Sequence, residues 1–142
     1  MVLGLLALLV IGFGAYVRLA PSDTARWHVP PAPATQADCT VQQGEGDARA
    51  TCLLPAAPSE ALARLDAIAM ATPRTTRLAG SPEEGRITWI TRSALWGFPD
   101  YTTAEATPDA TGTRLTLHAR LRFGRSDMGV NAARLHDWLP KL

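Results

Sequence analysis

The run VLGLLALLVIGFGAYV, from Val2 to Val17, carries no charged side chain. Extended through Leu19 and Ala20, with Arg18 free to snorkel, it is just long enough as a helix to cross a hydrocarbon core of about 30 Å at about 1.5 Å per residue. The alternatives are a cleaved signal peptide and a buried core helix. A signal peptide carries a basic stretch ahead of its apolar run and small residues at the cleavage point. Here no Lys or Arg precedes the run, and Gly12, Gly14 and Ala15 make a poor cleavage site. No Cys follows directly, as a lipoprotein would require. A core helix would show a polar side. The reading is an uncleaved anchor over residues 1–20, touching the lipid bilayer through residues 2–20. The expected location is the inner membrane, single-pass.

Two signals bear on sidedness and they disagree. Arg18 and Arg26 follow the span and no basic side chain precedes it, which under the positive-inside rule places the domain in the cytoplasm. Cys39 and Cys52 are the only cysteines and flank a Gly-containing turn in DCTVQQGEGDARATC. A hairpin there would bring them together, and a disulfide persists only in an oxidising compartment. Two free buried thiols are the alternative. The disulfide is favoured, and with it a domain in the periplasm.

Net charge is +1, too small for a nucleic-acid binder, which needs a strongly basic surface. Of 14 basic residues only Lys141 is lysine, the habit of a GC-rich bacterial genome. Residues 21–38 contain Pro30, Pro31 and Pro33 and read as a Pro-rich tether. Trp27 and His28 rest either at the membrane interface or on the domain. Residues 39–58 read as a Cys-bracketed hairpin or loop, and residues 59–142 as an α+β domain.

Within that domain, PSEALARLDAIAMATP is a helix with Ser59 as N-cap, an apolar face of Leu62, Leu65, Ile68 and Ala69, and a stop at Pro73. RTTRLA is a possible short strand; RITWITR and YTTAEA are strands; GSPEEG and TPDATG are turns. RLTLHARLRF, Arg114 to Phe123, alternates without a fault, the pattern of a half-buried antiparallel strand. A final helix, GVNAARLHDWL, places Leu135, Trp138, Leu139 and Leu142 on one side. The predicted architecture is a two-layer α+β sandwich: an antiparallel meander sheet of three to four strands covered by two helices.

Motifs for nucleophilic, metal-dependent or phosphate-loop chemistry are absent: no G-x-S-x-G, H-E-x-x-H, C-x-x-C or Gly-rich phosphate loop occurs. No metal or cofactor is expected. His28, His118 and His136 fall in tether, strand and helix, and each reads as a surface residue. The candidate site is a pair of loops. GRSDMGVN supplies Arg125, Ser126, Asp127 and Asn131 ahead of the last helix, which adds Arg134. RSALWGFPD supplies Arg92, Ser93 and Asp100. A meander places both loops at one end of the sheet. Asp127 suits a helix N-cap. A shared Arg–Asp network is the structural outcome; a small anion held at the helix start by Arg92 and Arg125 is the functional one. Arg86, Arg92, Arg114, Arg120 and Arg122 share parity on the polar face, either paired with acids such as Glu105 or forming a docking stripe.

These loops carry a resemblance. LAGSPEEGRITWITRSALWGFPDY followed by RLRFGRSDMGVNAARLHDWL resembles the domain-of-unknown-function-1499 family of bacterial membrane-anchored proteins. Its members show an Arg-Ser pair, a Gly-x-x-Asp loop and a Ser-Asp-x-Gly-x-Asn-x-x-Arg corner. Here these are Arg92 and Ser93, Gly97 and Asp100, then Ser126, Asp127, Gly129, Asn131 and Arg134. The resemblance covers Ser59 to Leu142, and YVRLAPSDTARWHV resembles anchored members. The cysteine pair departs from the pattern. The resemblance implies a fold and no activity. The functional expectation is a non-enzymatic, membrane-anchored domain that binds a partner or serves as accessory subunit of a membrane complex. The alternative is a periplasmic domain that binds a small anionic ligand or lipid head group.

Overall fold

The faultless alternation after Arg114 becomes a central strand. In the computed structural model, which describes all residues 1–142, β6 (Gly112–Leu121) pairs on one side with β5 (Pro99–Asp109) and on the other with β2 (Asp47–Leu54). The strands β4 (Arg86–Arg92) and β3 (Thr75–Ser81) extend the sheet beyond β5, and the short β1 (Gln42–Gln43) closes the edge beside β2. The sheet is antiparallel throughout, in the order β1-β2-β6-β5-β4-β3. It therefore has six strands where three to four were expected. The missing pair lies in residues 39–58. The inward residues of DARATCLL are Ala48, Ala50 and Cys52, all fully buried but too small to give a strong alternating signal.

Two helices cover one face, as the sandwich reading requires. After β2 the chain crosses over the sheet as α3 (Pro58–Ala71) and enters β3 at the far edge; α4 (Val130–Trp138) and a 3-10 turn, Leu139–Lys141, cover the half nearer β2. Ser59 is not the N-cap of α3. Ala57 takes that place and Pro58 fills the first helical turn, where its missing N–H costs nothing. Beneath these helices lie Ile87, Trp89, Leu115 and Leu117 with Leu62, Leu65, Leu135 and Trp138. The Trp89 and Trp138 rings meet edge to face at 5.7 Å. Each buried indole finds an acceptor: Trp89 donates to Asp66 at 2.8 Å and Trp138 to Thr72 at 2.9 Å. The turn between β5 and β6 is the pair Ala110–Thr111, so TPD belongs to β5 and not to a longer turn.

The other face of the sheet is also covered, by the Pro-rich segment. Trp27, at the end of the four-residue α2 (Thr24–Trp27), stacks flat on Tyr101 with ring centroids 3.9 Å apart. Its carbonyl accepts from Thr103 (3.1 Å) and Arg120 (2.9 Å). Ser22 meets the Tyr101 hydroxyl at 2.6 Å, His28 meets Thr88 at 2.8 Å, and the Ala34 N–H donates to Thr51 at 3.1 Å. Residues 22–34 thus run across the sheet as a strap. Cys39, five residues beyond the strap, forms a disulfide with Cys52 of β2. The first helix, α1 (Val2–Leu19), stands apart: its residues are exposed except Val17 and the half-buried Gly14.

Candidate functional site

The end of the sheet formed by the starts of β3 and β5 and the ends of β4 and β6 carries both Arg-Ser loops, and the foot of α1 docks there. The candidate residues gathered at this end separate into two groups on opposite faces.

Under α4, the second group of motif residues joins the first. Asp127 starts the helix. Its carboxylate accepts from the N–H groups of Gly129 and Asn131, both at 3.0 Å, and its carbonyl accepts from Val130 at 3.1 Å. Gly129 supplies the left-handed turn at the N-cap with φ +81°. Asn131 and Arg134, one turn apart on the inner side of α4, reach toward the Gly-x-x-Asp loop. Arg134 donates to the Asn131 side chain and pairs with Asp100 at 3.5 Å. The pair is buried, with side-chain exposures of 8% for Arg134 and 14% for Asp100. Burial pushes the Asp100 carboxyl up from its ordinary range despite Arg134, and Asp127 adds to the rise. Burial likewise lowers Arg134. The Asn131 Nδ2, fully buried, has no hydrogen-bond partner. Because Asp127 already occupies the N–H groups at the helix start, this corner serves as an internal anion site satisfied by its own carboxylate.

The remaining candidates sit elsewhere. Arg125 is exposed on the turn after β6, and Ser126 accepts from the Met128 N–H at 3.2 Å within that turn. Ser93 closes the 93–98 loop, its hydroxyl accepting from Phe98 N–H at 3.0 Å. Arg92, on the strap side of the sheet, donates to the carbonyls of Gly97 (2.9 Å) and Val17 (3.4 Å). Arg18 donates back to Leu95 (2.8 Å) and Trp96 (3.2 Å). Gly97 makes room for this exchange: with φ +75°, any Cβ there would lie 3.0 Å from Arg18 Cγ. Arg122 donates to the Pro21 carbonyl and the Tyr101 hydroxyl, both at 3.0 Å. Phe13 packs on Phe98 and Tyr16 on Phe123, each edge-on at about 6 Å. The foot of α1 is therefore clamped to the domain on two sides.

The arginines fall into two sets. Six of the 13 are paired with carboxylates: Arg49, Arg64, Arg77, Arg86, Arg114 and Arg134. Arg86 with Glu105 is the pairing expected of the polar face. Arg18, Arg26, Arg74, Arg92, Arg120, Arg122 and Arg125 have no carboxylate partner. Five of these seven, all but Arg26 and Arg120, lie at the end of the sheet that meets α1. Three of them, Arg18, Arg74 and Arg92, line an open cleft of about 460 Å³ with Thr76, Ser93 and Gly97. Sequence reading singled out Arg92 and Ser93 but not Arg74, whose surroundings in TPRTTR show nothing unusual.

His118 is not the surface residue expected. It is 9% exposed and meets Asp47 at 2.8 Å. Burial lowers its pKa against the opposing pull of Asp47. For Asp47, burial works upward, but hydrogen bonds from His118 and Arg49 outweigh it and hold the carboxyl below its usual range. No group of three or more His, Cys, Asp or Glu side chains is arranged to hold a metal ion.

The fold is shared with a solved bacterial protein. A protein from Mesorhizobium loti superposes with a TM-score of 0.51 at 13% identity, covering 67% of this chain and 92% of its own. A protein from Chromobacterium violaceum matches with a TM-score of 0.44 at 16% identity, covering 68% and 91%. No curated protein matches the chain. Residues 28–142, from the strap through the final turn, match the family described as "Protein of unknown function (DUF1499)", and the chain belongs to that family.

Proposed function

We propose that this chain is a single-pass membrane protein whose folded head is clamped to the foot of its own span and works on the bilayer surface by binding, without catalysis, as an accessory domain. The observation that carries the reading is the junction. An 18-residue helix, about 27 Å long at about 1.5 Å per residue, presents an almost wholly exposed apolar surface. Its foot is fixed to the head by Arg18, Arg92, Phe13 and Tyr16. Exposed leucines and valines around a full helix circumference find a solvent in lipid and not in water. Trp96, Tyr16, Phe98 and Phe123 then fall at the level where aromatic side chains gather at membrane interfaces.

The head belongs in the periplasm on this reading. The disulfide needs an oxidising compartment, while two arginines after the span are a weak retention signal for a long domain, which translocates largely regardless of charge. Mass analysis of the mature protein, alkaline extraction of membranes and thiol alkylation before and after reduction test the three parts. Loss of the first twenty residues, or release into the soluble fraction, refutes the anchor. Free thiols in the isolated protein refute the compartment.

The second reading is an anionic ligand or lipid head group. The observation favouring it is the gathering of carboxylate-free arginines at the end of the head that faces the membrane.

A further inference from the structure

We propose that the cleft between the foot of α1 and the starts of β3 and the 93–98 loop binds the phosphate of an anionic phospholipid, with Arg18, Arg74 and Arg92 as its cationic wall; this rests on the head-group reading above. Three guanidiniums share one cleft and none has a carboxylate partner. Each spends part of its donor set on a backbone carbonyl: Arg18 on Leu95 and Trp96, Arg74 on Arg92 at 3.0 Å, Arg92 on Gly97 and Val17. A guanidinium carries five N–H donors, so those bonds fix its position and leave donors over. Ser93 and Thr76 add hydroxyls to the same wall. A planar fork held in place beside a second one is the arrangement that suits phosphate oxygens.

The source of the phosphate follows from position. The cleft is built partly from α1 itself, one residue before the helix ends. Arg18 therefore sits at the depth where an apolar span gives way to head groups. Leu95, 78% exposed at the tip of the same loop, and Trp96, packed on Gly14, supply an apolar lip beside it. A water-soluble anion would need no such lip, whereas a phospholipid places acyl chains against the lip and phosphate against the arginines. The net positive wall discriminates by charge: it attracts phosphatidylglycerol and repels the choline of phosphatidylcholine.

The test uses the full chain in a maltoside detergent and follows thermal unfolding as short-chain phosphatidylglycerol, short-chain phosphatidylcholine or inorganic phosphate is added. Phosphatidylglycerol is expected to raise Tm with the logarithm of its concentration above Kd, by on the order of 5–10 °C at a hundredfold excess over Kd. Arg74→Gln, which gives up a single hydrogen bond to the Arg92 carbonyl, is expected to abolish the shift. Arg74→Lys should weaken the shift at an unchanged starting Tm. Arg114→Gln, the same charge change at the far end of β6, should keep it. No shift of the wild-type chain by phosphatidylglycerol refutes the head-group reading itself. A shift that survives Arg74→Gln, or that Arg114→Gln removes equally, refutes the site while sparing the reading. Equal shifts from inorganic phosphate or from phosphatidylcholine overturn the assignment to an anionic lipid.

Discussion

The buried Asp100–Arg134 pair makes a demanding quantitative test of the corner. In Arg134→Met the aliphatic reach of the side chain is kept and the charge is lost. Asp100, 14% exposed, then faces Asp127 with no counterion. Removing one member of a buried pair costs about 3–5 kcal/mol, because the survivor keeps its desolvation penalty. For a head of this size that is a fall in Tm of about 12–20 °C at neutral pH, taking about 4 °C per kcal/mol. The loss depends on pH in a definite direction. Burial already raises Asp100 in the native chain, and removing Arg134 raises it further. A carboxyl whose folded pKa exceeds its unfolded value binds more protons folded than unfolded between the two. Stability therefore falls as pH rises through that window and recovers below it. The gap between variant and wild type should thus narrow as pH drops from 7 toward the carboxylate range. Adding Asp100→Asn to Arg134→Met removes the stranded charge and should restore most of the stability. Thermal melts of the full chain in detergent at pH 7 and pH 5 decide it. A loss below about 1 kcal/mol for Arg134→Met at pH 7, or a double variant no better than the single, would show that the pair is not the buried charge described.

Trp27→Ala removes the ring stacked on Tyr101 and should cost about 3–5 kcal/mol, with increased protease cleavage between residues 21 and 38; a free tether would lose neither. Reduction of Cys39–Cys52, or Cys39→Ser with Cys52→Ser, opens a loop of 13 residues and should cost on the order of 3 kcal/mol, read as a fall in Tm of the reduced chain. His118 has a lowered folded pKa, so its contribution is complete above its unfolded value of about 6.5 and is lost as pH falls from there toward the folded pKa. Tm should therefore decline as pH drops below about 6.5, and His118→Gln should flatten part of that decline. His28, lowered in the same sense by burial, accounts for a further share.

What was legible in the sequence followed side-chain size. Arg114 to Phe123 announced itself because its inward residues include Leu115 and Leu117; β2 did not, because its inward residues are Ala48, Ala50 and Cys52. Both strands pack under α4 and pair residue for residue, Ala50 opposite Leu117. The two loops of the candidate site were placed at one end of the sheet by counting antiparallel strands, and they do meet there through Asp100 and Arg134. The strap was not legible as such. Three prolines exclude a helix but not packing, and the contact that holds the segment is one aromatic stack between residues 74 positions apart, Trp27 on Tyr101. Arg74 was invisible for another reason. Its significance lies in having no acid beside it, and the paired or unpaired state of an arginine is set by tertiary neighbours.

The division between the two groups of motif residues also bears on where binding is to be sought. The corner motif and the Gly-x-x-Asp loop are one network: Asp127 caps α4, Gly129 allows the turn, Asn131 fills the space between, and Arg134 reaches Asp100. Every charge in it is answered within the chain, so an incoming anion would have to displace Asp127 from two N–H groups and gains nothing from Arg134, already held by Asp100. Arg92 and Ser93 belong to the same sequence motif as Asp100, but Arg92 points to the other face, because Asp100 pairs across the strands with Thr91 and successive residues of β4 point to opposite faces. On that side, where α1 meets the head, Arg18, Arg74 and Arg92 donate to backbone carbonyls, which fix a guanidinium without neutralising it. A motif read as one site in the sequence is therefore split by the sheet into a joint on the helix side whose charges are answered within it and an open, uncompensated cationic surface on the side where α1 leaves the head. The first explains why the loops meet; the second alone has charge left to offer a ligand.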